Sequence, residues 1–293
     1  MYNWFMKFGA HQSIAGGYDK ALERVKKIGG NCLQIFSSSP RGWNFSKIDL
    51  KEQKNFIDKK KKLQIDPVYF HASYLVNLAD DDRIGTYSKK NLINELQLAF
   101  QLGIAGSIVH LGSYKNFSIF LPYRQADNFQ SNSKYKVLIN NIKEVLEKTP
   151  KETFFIIENA GTRKIGQTLE EISQIIKDVG SNRVKLCLDT CHLYAAGYSF
   201  KNNHELNLLL DKLDKLNLLD RLQLWHANDS RDPFGSLRDR HENIGQGTLG
   251  LKSFKTLLNH PQTKNYPFII ETPGFDSKGP DKKNLDILKS LVL

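Results

Sequence analysis

The chain has 293 residues, 40% hydrophobic and 25% charged; that is enough for a large core, in one barrel-sized domain or two smaller ones, and excludes a disulfide-built miniprotein. No apolar run approaches the roughly 20 residues of a membrane span, the N-terminal MYNWFMKFGAH has no secretory pattern, and three cysteines without a CxxC pair indicate buried thiols, so a soluble cytoplasmic protein is expected. Lysine and arginine number 42 against 31 acids, a net charge of +11, which favours a polyanionic partner, nucleic acid first, although solvated lysine-rich helix faces would also account for it.

In chain order, short apolar runs recur about every 25 to 45 residues, each followed by helical spacing. Strands are predicted at residues 7–10, 32–36, 68–70, 107–109, 154–157, 184–188, 222–225 and 268–270. Phe154-Phe155-Ile156-Ile157 and Phe268-Ile269-Ile270 are continuous apolar runs, as in strands covered on both faces by helices. Between strands, Leu92, Leu96, Ala99 and Leu102 mark one amphipathic helix, and Leu169, Ile172, Ile175, Ile176 and Val179 another. Thr168 and Glu171 suggest a capping box at the start of the latter, and Gly180 its end. The pattern predicts an α/β fold, a single (β/α)8 TIM barrel over residues 1–293, in preference to an open doubly wound sheet. Gly16-Gly17 precedes a helix but fits no phosphate-binding glycine motif, so no nucleotide cofactor is expected.

Histidines and acids fall at the C-terminal ends of these strands. His71, His110, Glu158, Asp189, His226 and Glu271 each follow one of six consecutive strands. His192 lies three residues past Asp189, and Asp239 and His241 lie on the loop after the seventh strand. Taken singly, such a histidine is a hydrogen-bonded rim residue and such an aspartate a helix N-cap. Together, at the mouth where barrel strand ends converge, they form a ligand inventory for two or three divalent ions, zinc or a relative. Four crowded carboxylates need cationic neutralisation, and three divalent ions leave a formal surplus of about +2 to meet a hydroxide and a phosphodiester.

At these residues the sequence resembles the endonuclease IV family of metal-dependent apurinic/apyrimidinic endonucleases, through GAHQSIAGG from Gly9, HASYLVNL from His71, IENAG from Ile157, CLDTCHLYAAGY from Cys187, HANDS from His226, GSLRDRH ending at His241 and IIETP from Ile269. The resemblance implies hydrolysis 5′ to abasic sites in duplex DNA, leaving a 3′-hydroxyl and a 5′-deoxyribose phosphate, with processing of 3′-blocked ends. It assigns His71, His110 and Glu158 to a first metal, Asp189, His226 and Glu271 with bridging Glu158 to a second, and His192, Asp239 and His241 to a third. Three zinc ions are implied, with manganese as an alternative. Glu158 and Glu271 carry the catalysis, Glu271 orienting a hydroxide for in-line attack. Arg41, Tyr74 and Leu75 match positions that enter the duplex and hold the abasic nucleotide turned out, which costs least where the base is missing; core packing and a simple phosphate contact are the alternatives. A monomer acting without a membrane is expected.

The sequence departs from the family in several places. Residues 111–133 form a longer connection rich in aromatics (Tyr114, Phe117, Phe120, Tyr123 and Phe129), suited either to DNA contact or to packing on the barrel side. Leu111 replaces a usual proline, the segment after Glu158 is short, and Gln246 stands where glutamate is common. Two rival functions compare less well. Sugar isomerases and epimerases on similar barrels do not call for the Asp239/His241 pair, and a non-catalytic binder of damaged DNA has no need of the full ligand set.

Overall fold

The computed structural model describes residues 6–114 and 133–293. Phe117, Phe120, Tyr123 and Phe129 lie outside the described residues. The strands are β1 Lys7–His11, β2 Cys32–Phe36, β3 Val68–His71, β4 Gly106–Val109, β5 Phe154–Glu158, β6 Val184–Asp189, β7 Leu222–His226, the short pair β8 Asp229–Ser230 and β9 His241–Glu242, and β10 Pro267–Ile270. The helices are α1 Tyr18–Lys27, α2 Leu50–Leu63, α3 Arg83–Leu102, α4 Ser133–Glu147, α5 Leu169–Val179, α6 Thr190–Ala195, α7 Asn203–Lys215, α8 Gly250–Asn259 and α9 Lys282–Ser290.

Eight strands close into a parallel barrel in the order β1-β10-β7-β6-β5-β4-β3-β2, and β8 pairs antiparallel with β9 outside it. The eight expected strands are all present, and several run one residue further than their apolar pattern: His11, His71, Glu158, Asp189 and His226 are the last residues of β1, β3, β5, β6 and β7. Helix-facing side chains build the main core, among them Leu92, Leu96, Ala99 and Leu102 on α3 and Leu169, Ile172, Ile175, Ile176 and Val179 on α5. A second buried cluster, Cys32, Tyr69, Ile108, Ile156, Cys187, Leu224 and Ile269, takes one residue from each of seven barrel strands and fills the lumen. On β1 the corresponding residue is Gly9, where a Cβ would stand 2.0 Å from the Cys32 carbonyl oxygen.

The start of α5 differs from expectation. Thr168 Oγ1 accepts from the Glu171 amide at 3.2 Å, but the Glu171 carboxylate does not return the bond. It accepts instead from Tyr114 Oη at 3.0 Å and from the Gly166 amide at 2.8 Å. Tyr114 is thereby buried against the barrel side, so this residue of the long connection packs inward. The full capping box occurs on α2, where Asp49 accepts from the Glu52 amide and the Glu52 side chain accepts from the Asp49 amide.

Candidate metal centre

Strand side chains alternate between faces, so the residue two positions past each lumen residue points into the barrel again, one layer nearer the mouth. Counting two from Gly9, Cys32, Tyr69, Ile108, Ile156, Cys187, Leu224 and Ile269 gives His11, Gln34, His71, His110, Glu158, Asp189, His226 and Glu271. Register places them side by side: His11 pairs with Gln34 and Asp189 with His226. This layer floors a cavity of about 510 Å³ lined by His11, His71, Tyr74, His110, His192, Asp239, His241 and Glu271.

All nine sequence-predicted ligand positions come together. Their donor atoms fall into groups within 4.8 Å: His71, His110 and Glu158; Glu158, Asp189, His226 and Glu271; and His192, Asp239 and His241. Cys191 adds a thiol to Asp189 and His241. Glu158 sits at the centre, with Oε2 3.1 Å from His71 Nε2 and 3.3 Å from His110 Nε2, and Oε1 3.1 Å from His226 Nδ1. His192 Nε2 lies 2.9 Å from Asp239 Oδ1.

Neighbouring groups aim these ligands. His71 Nδ1 donates to the Ala72 carbonyl at 2.9 Å and His192 Nδ1 to the Asn159 carbonyl at 3.0 Å. A carbonyl only accepts, so in the neutral ring each Nε2 presents a lone pair to the cavity. Among the described residues, His241 Nε2 is buried with no hydrogen-bond partner, and buried His192 Nε2 faces the Asp239 carboxylate as an ion pair. Asn228 links two ligands, its Nδ2 donating to Asp189 Oδ2 at 2.6 Å and its Oδ1 accepting from the Glu271 amide at 2.7 Å. Asp189 is also the helix N-cap weighed for it, since Oδ1 accepts from the His192 amide at 3.0 Å and caps α6.

Asp239 lies on the β8–β9 loop and His241 opens β9, and Asp229 on β8 anchors the segment that follows β9. Its buried carboxylate accepts the amides of Ser230, Gly245, Gly247, Leu249 and Gly250 at 2.8–3.3 Å. A Cβ on Gly247 would stand 2.4 Å from Asp229 Oδ1. The flanking glycines make these contacts, so Gln246 in place of glutamate leaves the anchor intact.

The electrostatics call for positive charge. Burial opposes ionisation of Glu158, yet the His110 and His226 imidazoles hold its carboxyl well below the usual range; burial and then His226 act in the same opposed way on Glu271, with the same outcome. Burial disfavours the charged form of His192, but Asp189 and Asp239 raise it well above an ordinary imidazole. His226 is likewise raised against burial, by Cys187, Glu271 and Glu158. His110, dominated by burial, is pushed down to about 4. Protons thus stand where several cations would fit, and bare imidazole nitrogens face carboxylates; the residues suit divalent ions.

At the rim, Tyr74 and Leu75 are exposed, at 65% and 39%, as a wedge requires and a core position does not. Tyr74 lies 5.4 Å from the Phe36 ring and 6.4 Å from the His71 ring. Arg41 is exposed on the loop after β2, which Ser73 Oγ ties to the following loop through the Pro40 carbonyl at 2.8 Å. His11 and Gln34, to which the sequence reading assigned no role, touch the site: Gln34 Nε2 lies 2.8 Å from His11 Nδ1 and 2.5 Å from Glu271 Oε1. All three cysteines are free and buried, as expected. No helix among the described residues is long and apolar enough to cross a membrane.

A closed parallel barrel with acids and imidazoles at its C-terminal mouth defines the class, and residues 22–291 match the xylose isomerase-like TIM barrel family. The chain is 34% identical over 291 residues, 98% of this chain and 97% of the relative, to a "Probable endonuclease 4" of Persephonella marina. The crystal structure of endonuclease IV from Thermus thermophilus superposes with a TM-score of 0.81 at 28% identity, covering 97% of this chain and 98% of that one. A D-tagatose 3-epimerase-like protein superposes at 0.69 with 19% identity over 98% and 97% of the two chains, which shows the shared fold alone. The chain belongs to the endonuclease IV family within this barrel class.

Proposed function

We propose that this protein is a DNA-repair endonuclease that hydrolyses the phosphodiester 5′ to abasic sites in duplex DNA, leaving a 3′-hydroxyl and a 5′-deoxyribose phosphate, and that it also trims 3′-blocked ends. The observation that carries this is the convergence of nine donors into three groups at one mouth. The net charge of +11, the exposed Tyr74 and Leu75, and relatives called endonuclease 4 support DNA as the substrate. His71, His110 and Glu158 would hold one divalent ion, Glu158, Asp189, His226 and Glu271 a second, and His192, Asp239 and His241 a third, with zinc matching the imidazole-rich set. When bound, such ions supply Lewis-acid polarisation of the phosphate and of the attacking water.

The chain's own residues do the rest. Glu271, fixed through its backbone by Asn228, orients the attacking water. Glu158 couples the first two groups through its two oxygens. Tyr74 and Leu75 replace the stacking lost when the abasic nucleotide turns out, and Arg41 meets the phosphate backbone. A sugar epimerase would leave the His192, Asp239 and His241 group without a task. The test is a duplex carrying one tetrahydrofuran abasic analogue, incubated with zinc-loaded protein. A single nick on the 5′ side, lost on prolonged chelation and restored by zinc, is expected. Intact duplex would refute the nuclease reading, and retention of that duplex without cutting would favour a damage-binding protein.

A further inference from the structure

We infer that Gln34 is a positioning residue for the Glu158, Asp189, His226 and Glu271 group, its carboxamide fixing the His226 tautomer and one Glu271 oxygen so that His226 Nδ1 faces the ion. This rests on the metal-dependent reading above. Gln34 is fully buried within the otherwise apolar CLQIF of β2. A carboxamide taken out of water there requires partners on both of its ends.

The partners determine which end is which. Glu271 as a carboxylate only accepts, so the amide nitrogen faces its Oε1, at 2.5 Å. The other N–H of that nitrogen points to His11 Nδ1 at 2.8 Å, which makes Nδ1 the acceptor and leaves the proton of the neutral His11 ring on Nε2. The amide oxygen then faces His226 Nε2 at 2.7 Å. An amide oxygen cannot donate, so His226 carries a proton on Nε2. Its Nδ1 is left toward Glu158 Oε1, Glu271 Oε2 and Asp189 Oδ2, at 3.1, 3.4 and 3.7 Å. A flipped amide would set two acceptor oxygens against each other at Glu271.

His71 and His192 are oriented instead by backbone carbonyls, which any sequence supplies, and these bind Nδ1 and leave Nε2 to the site. For His226 the orienting oxygen belongs to a side chain, so the identity of residue 34 sets its ligand geometry. Partners of this kind typically contribute about 10–100-fold to metal affinity.

The test uses the full-length protein with Q34M, similar in length and without hydrogen bonds, and Q34E, which keeps an acceptor for His226 but loses both donors. Zinc affinities come from chelator competition, and the imidazole nitrogens are identified by long-range proton–nitrogen NMR of the zinc-loaded protein. In the wild type, His226 should show a proton on Nε2 and zinc on Nδ1. Q34M should lose about 10–100-fold in affinity for one zinc, while Q34E keeps the Nε2 proton. Zinc on His226 Nε2 in the wild type, or Q34M affinities within about twofold of wild type, would overturn the inference. Should Q34M fail to fold, the wild-type tautomer and Q34E decide it. Wild type that cuts abasic duplex beside an unaffected Q34M defeats this inference alone; wild type that cuts nothing while the zinc effects hold defeats only the proposed activity.

Discussion

Glu95 on α3 is buried between that helix and the barrel wall and accepts hydrogen bonds from the hydroxyls of Ser37 and Ser107. Burial pushes its carboxyl from 4.5 up to about 7, against the lowering effect of both hydroxyls. Because the folded value lies above the unfolded one, the native state holds this proton more tightly. The stability it contributes is full below the unfolded value and is lost as pH rises through the folded one. At about 1.4 kcal/mol per pH unit, the interval between the two values corresponds to about 3 kcal/mol. Glu95→Gln keeps the shape and removes the titration. Urea unfolding of both proteins across this range isolates the group, since every other titration is common to the two. Wild-type stability relative to the variant should fall by about 3 kcal/mol on passing from below the unfolded value to above the folded one and then level off. Parallel stability curves would refute the reasoning.

Glu271→Gln should retain binding to abasic duplex by gel shift and cut at least roughly a hundredfold more slowly in single-turnover assays, as loss of nucleophile positioning requires; wild-type cutting would remove the role assigned to Glu271. Asp229→Asn turns one acceptor oxygen into a donor and leaves the Gly245 and Gly247 amides, or the three on the other oxygen, unpaired. At about 1–3 kcal/mol per buried unpaired group, urea unfolding should report a loss of at least about 2 kcal/mol, and a loss below about 1 kcal/mol would show that the anchor is not carried by these bonds.

The barrel was legible because short, mainly apolar runs alternate with amphipathic helical spacing, and the candidate ligands were legible because a polar side chain ends the run where the barrel opens. That same polarity hid the true strand ends, since His71, Glu158, Asp189 and His226 look like loop residues until their ladders are seen. His11 stands at the same offset past β1 as the recognised ligands past their strands, so the pattern contained it. Gln34 gave no such signal, because one amide within CLQIF reads as an ordinary strand residue until the closed barrel turns it toward His226 and Glu271. The β8–β9 pair has two residues per strand, too few for any periodicity, and Asp229 owes its role to amides 16 to 21 residues away. Glu171 left its capping box for Tyr114, a competition across 57 residues that local sequence cannot reveal.

The seam of the barrel lies between its first and last strands, where Ala10 meets Ile270, and Glu271 follows immediately. The four-donor group itself stands on the contiguous strands β5, β6, β7 and β10, so what crosses the join is the bond from Gln34 on β2 to Glu271. A cation held by Glu158, Asp189, His226 and Glu271 would tie those four strands to one another, so its binding energy would also be cohesion of that side of the ring. Stripping the ion would then loosen these four strands first.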